Sequence, residues 1–187
     1  MKAIAFITRV HPVRPTMLKI CIDSIKIQTS DDYIHILSRD DKTVKGYGRF
    51  LANKSFAKVS PINARYVMVL DDDNMLIDPN FVIIFREVIA KNNPEIVFFK
   101  AIISNFIYPW PGYWKKAPVR SRIGSPCFAV RLDIWKKYIH EFGTPICGDF
   151  NFISACYKNT KKHIWLDRIV AKTQRKAGMG KGEHEHA

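Results

Sequence analysis

The chain has 187 residues, 47% of them hydrophobic, and its 30 basic side chains against 17 acidic ones give a formal net charge of +13. This composition excludes a disordered chain and predicts one domain with a sizeable core. The charge favours anionic partners such as nucleotide phosphates, nucleic acid or an acidic lipid surface, although solubility alone explains it equally well. No stretch approaches the ~20 apolar residues of a membrane span, and the apolar N-terminus is too short for a secretory signal. We therefore expect a cytoplasmic protein, with peripheral attachment to the inner membrane face as the alternative.

The first half of the chain alternates predicted strands and helices. Strands are predicted at 3–8, 33–37, 66–70 and 96–100, and helices begin near Pro15, Gly46 and Asp78. This order predicts an α/β fold in which a mostly parallel central sheet is flanked by helices, with a Rossmann-like N-terminal half. The loop after the first strand lacks a Gly-x-Gly-x-x-Gly motif, which disfavours a dinucleotide-binding turn.

An acidic run follows the most apolar predicted strand. Tyr66–Leu70 has no polar interruption, which is typical of a strand buried on both faces, and Asp71, Asp72 and Asp73 come directly after it. In an extended segment, Asp71 and Asp73 project to one side and Asp72 to the other. Such a pair of carboxylates suits Mg²⁺ or Mn²⁺ bound to a diphosphate, at the sheet edge where α/β proteins bind ligands. A solvated turn explains the same residues.

The second half of the chain is less regular. An aromatic, basic segment at 108–116 contains two prolines, so neither a helix nor a central strand is expected there. Its Trp110 and Trp114 can stack on a sugar or a base, or they can simply cover the core. Strands are predicted at 127–130 and 163–166, and helices at 135–142 and from Gly148. The polar, basic segment 175–187 is predicted to be a mobile tail after a single domain formed by 1–174.

Five short motifs, taken in order, resemble the GT-A fold glycosyltransferases, and glycosyltransferase family 2 most closely. Each motif is weak alone, but their order and spacing along a βαβα chain match that family. The matching residues are Thr8-Arg9 after the first strand, Asp40-Asp41 after the second, Arg49 with Asn53 in the next helix, Leu70-Asp71-Asp72-Asp73, and Gly148-Asp149.

This resemblance implies the nucleotide-diphospho-sugar transferase fold and a metal-dependent transfer of a sugar, from a UDP-sugar in particular, to an acceptor hydroxyl with inversion. It implies that Asp71 and Asp73 hold Mn²⁺ or Mg²⁺ and that Asp149 is the general base. Trp110 and Trp114 become candidates for an acceptor site or lid. The implied donor-binding residues are Thr8, Arg9, Asp40, Asp41, Arg49, Asn53, Asp71 and Asp72.

Other interpretations remain open at this point. Gly148 stands where the family has an acidic residue, and Asp149 is equally suited to cap a helix. The chain can also be a nucleotidyltransferase of related fold, or a non-catalytic module that binds nucleic acid through its basic face. The acceptor can be a glycan, a lipid or a modified nucleic acid. Further candidates near the C-terminus are His184 and His186 as metal ligands, and Arg168, Lys172, Gln174 and Arg175 for the diphosphate.

Overall fold

The computed structural model describes residues 1–11, 14–39, 56, 59, 62–143 and 147–174. The helix predicted from Gly46, the tail from 175, and Asp40, Asp41, Arg49 and Asn53 lie outside these residues. Within the described residues, eight strands and four α-helices occur in the following order. They are β1 (Lys2–Val10), α1 (Pro15–Lys26), β2 (Tyr33–Arg39), β3 (Ala64–Val69), β4 (Asn74–Leu76), α2 (Phe81–Asn92), β5 (Ile96–Ile103), β6 (Phe106–Tyr108), β7 (Phe128–Arg131), α3 (Leu132–Tyr138), α4 (Gly148–Lys158) and β8 (His163–Thr173).

All the described strands belong to one sheet, in the order β2-β1-β3-β7-β5-β8-β4, with β6 paired to β5. The pairs β1–β2, β1–β3 and β5–β8 are parallel. The pairs made by β7 with β3 and with β5 are antiparallel, as are β4–β8 and β5–β6. The predicted parallel half is therefore confirmed for β1, β2 and β3, but the whole described sheet is mixed rather than mostly parallel. Part of the difference arises because β7, a strand of 4 residues from later in the chain, lies between β3 and β5. The short strands β4 and β6 add to it, because they pair antiparallel with β8 and β5.

Helices cover both faces of this sheet, as the alternating pattern predicts. On one face, α2 packs through Phe81, whose ring contacts those of Phe6 and Phe99. On the opposite face, α4 packs through Phe152 against Phe128. None of the described helices combines the length and the apolar character needed to cross a bilayer.

Parallel pairing of β1 and β3 positions the candidate site. Ile7 of β1 lies opposite Val69 of β3, so both strands end at the same edge of the sheet. Arg9 and the loop after β1 consequently lie beside Asp71 and the residues that follow β3. Because β3 is buried between β1 and β7, the acidic residues leave the sheet near its middle, where a ligand can contact more than one strand end.

Candidate functional site

The acidic residues form a β-turn, named here the acidic turn (Asp71–Asn74). The backbone N–H of Asn74 donates to the carbonyl of Asp71 at 2.9 Å, so the extended geometry predicted from the sequence is wrong. The turn is not solvated either, because the side chains of Asp71, Asp72 and Asp73 are only 14%, 3% and 19% exposed. Its carboxylates are therefore withdrawn from water and need partners within the protein.

Two arginines from the end of β1 and the loop after it supply those partners. Arg9 Nη2 lies 2.9 Å from Asp71 Oδ2. Arg14 Nη1 lies 3.0 Å from Asp73 Oδ2 and 3.4 Å from Asp72 Oδ1, and the Arg14 side chain is only 5% exposed. Asp72 also accepts the backbone N–H of His11. Because protein groups contact the Asp72 carboxylate in this way, its predicted contact with a donor stays a prediction.

The pKa values of Asp72, Asp73 and Arg9 reflect the combined effects of burial and neighbouring charge at the acidic turn. Burial raises the pKa of Asp72 to about 7. Burial, and then the charge of Asp71, raise the pKa of Asp73 to about 6, against the opposing effect of Arg14. Burial lowers the pKa of Arg9, but Asp71 and Asp73 outweigh it and leave that pKa above its ordinary value. At Asp72 and Asp73, burial and the mutual repulsion of the carboxylates therefore outweigh the effect of the neighbouring guanidinium groups.

Asp149 lies in the first turn of α4, within electrostatic reach of the acidic turn. The helix begins at Gly148 with Cys147 in the cap position, so Asp149 is not the N-cap residue, although its carboxylate does bond to a backbone N–H of the first turn. Its Oδ1 accepts the backbone N–H of Phe150 at 2.9 Å. Burial raises the pKa of Asp149, and the charge of Asp71 raises it further, against the opposing effect of Arg9. A carboxylate with a raised pKa is a stronger proton acceptor, as a general base requires.

Thr8 lies below the site rather than on its surface. The side chain is fully buried, with Oγ1 at 2.8 Å from His35 Nε2 and 3.6 Å from Cys21 Sγ. Thr8 therefore connects β1 to β2 and α1, and its predicted role in donor binding stays a prediction.

His35, which Thr8 contacts, predicts an acid-sensitive stability. Burial, and secondly Lys26, lower the pKa of His35 from 6.5 to about 4. The unfolded chain therefore binds a proton as the pH falls through 6.5, while the folded protein remains neutral until about pH 4. Stability from this group is lost across that interval, and we expect a loss of about 1–2 kcal/mol between pH 7.5 and pH 5 after allowing for partial exposure. Urea unfolding of the wild type and His35→Gln at both pH values measures it. An equal loss in both proteins contradicts the prediction.

The two tryptophans of the aromatic segment contact protein groups. The Arg122 guanidinium lies 3.7 Å from the Trp110 ring centroid, and Phe106 stacks on Trp110 at 6.2 Å. Trp114 packs edge-on against Trp165 at 5.0 Å, and Lys100 Nζ lies 4.9 Å from its ring centroid. These contacts favour the covering role over sugar stacking, particularly for Trp110, and an acceptor role for either ring stays a prediction.

The chain that follows the aromatic segment does reach the site. Ser125 Oγ donates to Asp71 Oδ2 at 3.1 Å, and Arg120 Nε donates to Cys147 Sγ, beside α4, at 3.2 Å. Sequence reasoning did not assign Ser125 or Arg14 to the site. A cation in the loop after β1 was a usable signal for Arg14, because that loop adjoins β3 in a parallel sheet. Ser125 carried no such signal, because its position depends on the pairing of β7.

For the remaining predicted residues, the structure either shows another partner or does not describe them. Arg168 pairs with Asp78 rather than extending over a diphosphate site. Asp40, Asp41, Arg49 and Asn53 lie outside the described residues, so their predicted contacts with the nucleotide stay predictions. The same holds for Arg175, His184 and His186.

Comparison with known proteins identifies the fold. No protein-family model and no curated protein matches the sequence. Among solved structures, S. aureus TarS 1–349 in complex with UDP is similar at a TM-score of 0.70 and 13% identity, over 93% of this chain and 60% of that chain. The same protein in complex with UDP-GlcNAc is similar at 0.69 and 12%, over 99% of this chain and 61% of that chain. This chain therefore spans less than two thirds of TarS 1–349.

A second structure matches along its whole length. It is a glycosyltransferase involved in the glycosylation of the major capsid of PBCV-1, at a TM-score of 0.59 and 12% identity, over 98% of both chains. At these identities the similarity is one of fold. The resemblance to glycosyltransferases noted in the sequence is thereby confirmed, and this chain has a glycosyltransferase fold.

Proposed function

We propose that this protein is a glycosyltransferase that moves a sugar from a nucleotide diphosphosugar, a UDP-sugar in the first instance, to an acceptor hydroxyl. The observation that carries the proposal is the cluster at the sheet edge in which Arg9 pairs with Asp71 at 2.9 Å, with Asp73 and Asp149 within electrostatic reach. The fold adds support, because TarS, which is similar to this chain, was solved with UDP and with UDP-GlcNAc.

A donor site of this kind implies a bound divalent cation, and the carboxylates of the acidic turn fit one. Asp71 Oδ1 is buried and has no hydrogen-bond partner among the described residues. Asp73 uses its oxygens on Arg14 and Asn74, which leaves lone pairs on each oxygen for further ligands. No group of three or more His, Cys, Asp or Glu side chains within the described residues is arranged to hold a metal. Asp71 and Asp73 would therefore bind Mn²⁺ or Mg²⁺ together with oxygens of the donor diphosphate.

Of the two described arginines that pair with the acidic turn, Arg9 is the one open to a donor. Its side chain is 26% exposed, against 5% for Arg14, so Arg9 can contact diphosphate oxygens while Arg14 stays beneath the acidic turn. A divalent cation held by Asp71 and Asp73 would supply charge that offsets the negative charge developing on the leaving diphosphate. Arg9 contributes in the same direction, because a guanidinium group bonds well to phosphate oxygens.

Asp149 is the general base in the proposed reaction. In the proposed reaction its carboxylate accepts the proton of the acceptor hydroxyl while that oxygen attacks the anomeric carbon. Attack from the face opposite the leaving diphosphate gives inversion. The hydroxyl-bearing acceptor can be a glycan, a lipid or a modified nucleic acid, and the net charge of +13 is suited to an anionic one.

A panel of UDP-, GDP- and CDP-sugars tests the proposal, with release of the free nucleoside diphosphate measured in Mn²⁺ and in EDTA. We expect Mn²⁺-dependent release from a UDP-sugar, and its loss in Asp73→Ala. Asp167→Ala is the matched control, because Asp167 pairs with Lys100 and is 69% exposed, away from the acidic turn. Absence of release from every donor contradicts the transferase. Release that persists in EDTA and in Asp73→Ala contradicts the metal site.

A further inference from the structure

Gln174 contacts the backbone of the acidic turn at every residue after Asp71. Its own backbone N–H donates to the carbonyl of Asp73 at 2.8 Å. Its side-chain Nε2 lies 3.0 Å from the carbonyl oxygen of Asp72 and 3.3 Å from that of Asn74. The same nitrogen lies 3.0 Å from the carbonyl oxygen of Met17 in α1. One residue therefore links the acidic turn to the end of β8 and to α1.

The backbone directly after β8 supplies the hydrogen bond to the Asp73 carbonyl, but it does not supply those made by the Gln174 side chain. Pairing of β4 with β8 ends where Asn74 lies opposite Thr173, so the carbonyls of Asp72 and Asp73 lie beyond the last ladder pair. A buried carbonyl without a donor costs free energy, and a side-chain amide that follows the strand provides donors at that point. The three carbonyl acceptors also determine the orientation of the amide, since only its nitrogen can donate.

The carbonyl oxygen of the Gln174 amide makes no comparable contact. Oε1 is buried and has no hydrogen-bond partner among the described residues. The contacts of this side chain are thus made by its two N–H groups, which are shared among the backbone carbonyls of Met17, Asp72 and Asn74. Holding the carbonyls of Asp72, Asp73 and Asn74 on one side constrains the directions in which the side chains of the acidic turn leave the backbone.

We infer that Gln174 is a positioning residue, which fixes the backbone of the acidic turn so that the Asp71 and Asp73 carboxylates are held in place for a cation and a diphosphate. The identity of the ligand in this inference rests on the proposed function. The backbone clamp, by which we mean the hydrogen bonds from Gln174 to the acidic turn, does not. Groups that orient metal-binding side chains from behind typically change metal affinity by 10- to 100-fold when they are replaced.

Gln174→Met tests this inference, because it keeps the approximate side-chain volume and removes the amide donors. Gln28→Met is the matched control. The Gln28 amide also holds two backbone groups, donating to the Asp78 carbonyl at 2.9 Å and accepting the Val82 N–H at 3.2 Å, but away from the acidic turn. Affinities for Mn²⁺ alone and for UDP with Mn²⁺ are measured by calorimetry, and melting temperatures are recorded for both variants.

We expect both variants to lower the melting temperature, and only Gln174→Met to weaken Mn²⁺ and UDP binding, by about 10- to 100-fold. Unchanged affinity in Gln174→Met, or an equal loss in Gln28→Met, overturns the inference. Should Gln174→Met fail to fold, Gln174→Asn is the second variant, because it keeps the amide and shortens its reach. Its affinities for Mn²⁺ and for UDP with Mn²⁺ then test the inference by the same criteria.

A wild type that binds neither Mn²⁺ nor UDP contradicts the proposed function, and the clamp is then tested by amide hydrogen exchange. Gln174→Met should accelerate exchange of the Asn74 N–H, which closes the acidic turn, while Gln28→Met leaves it unchanged. Equal exchange in the wild type and both variants overturns the inference on its own.

Discussion

Asp149→Asn is expected to lower turnover by about 10²- to 10⁴-fold while leaving UDP binding intact. The amide keeps the size of the carboxylate and can still accept the Phe150 N–H, but it cannot take a proton from an acceptor hydroxyl. Burial and Asp71 raise the pKa of Asp149, so activity should fall on the acidic side as this carboxylate becomes protonated. Steady-state kinetics across pH, with UDP affinity measured by calorimetry, check both expectations.

Asp133→Asn is the control for Asp149→Asn. Asp133 also lies in the first turn of a helix, α3, but it pairs with Arg131 and its side chain is 59% exposed. We expect wild-type turnover in this variant. If Asp149→Asn retains the wild-type rate, or if it loses UDP affinity in parallel with turnover, the general-base assignment is wrong.

Arg14→Met is expected to destabilise the protein by about 3–5 kcal/mol at pH 7.5, because it leaves two buried carboxylates without their guanidinium partner. The partners are Asp72 and Asp73, and the Arg14 side chain is 5% exposed. Burial already raises the pKa of Asp72 to about 7 and that of Asp73 to about 6. Without Arg14 the two carboxyls should bind protons more readily, so the loss should shrink at pH 5.5. Urea unfolding at both pH values measures the difference.

Arg131→Met is the control for this prediction. Arg131 also has two acidic partners, Glu95 and Asp133, but it is 29% exposed. Exposed ion pairs of this kind contribute about 0–1 kcal/mol. A similar loss of stability in the two variants, or a loss in Arg14→Met that does not depend on pH, would show that buried charge is not the cause.

The local hydrophobic pattern of the sequence was sufficient to predict the first half of the fold. Alternation of apolar strands with amphipathic helices predicted β1, α1, β2 and β3, because each element buries its own apolar face whichever partner it finds. The position of β7 was not predictable in this way. Its 4 residues carry no signal that they lie between β3 and β5, since strand order depends on the packing of the whole chain. The mixed character of the sheet was not predicted partly for that reason, and partly because β4 and β6 are short strands that pair antiparallel with β8 and β5.

The candidate site was likewise predicted only in part from the sequence. Asp71 and Asp73 were predicted because charged residues directly after buried strands have few structural uses, and Arg9 was predicted from the resemblance to glycosyltransferases. Arg14 and Ser125 were missed, because their contacts with the acidic turn join residues 59 and 54 positions apart. Gln174 was considered only for the diphosphate, whereas its amide contacts carbonyl oxygens of the turn. No spacing rule connects these residues.

The amino-acid sequence by itself determined the α/β class, the buried central strand and the identity of the acidic residues that follow it. These features depend on hydrophobic periodicity and on residue type, which are local properties of a chain. Only the tertiary structure decided that the acidic residues turn back on themselves, that two arginines pair with them, and that Asp149 lies within reach of their charge. Those features depend on which strands are neighbours, because electrostatic and hydrogen-bond interactions act over a few ångströms in space whatever the separation along the chain.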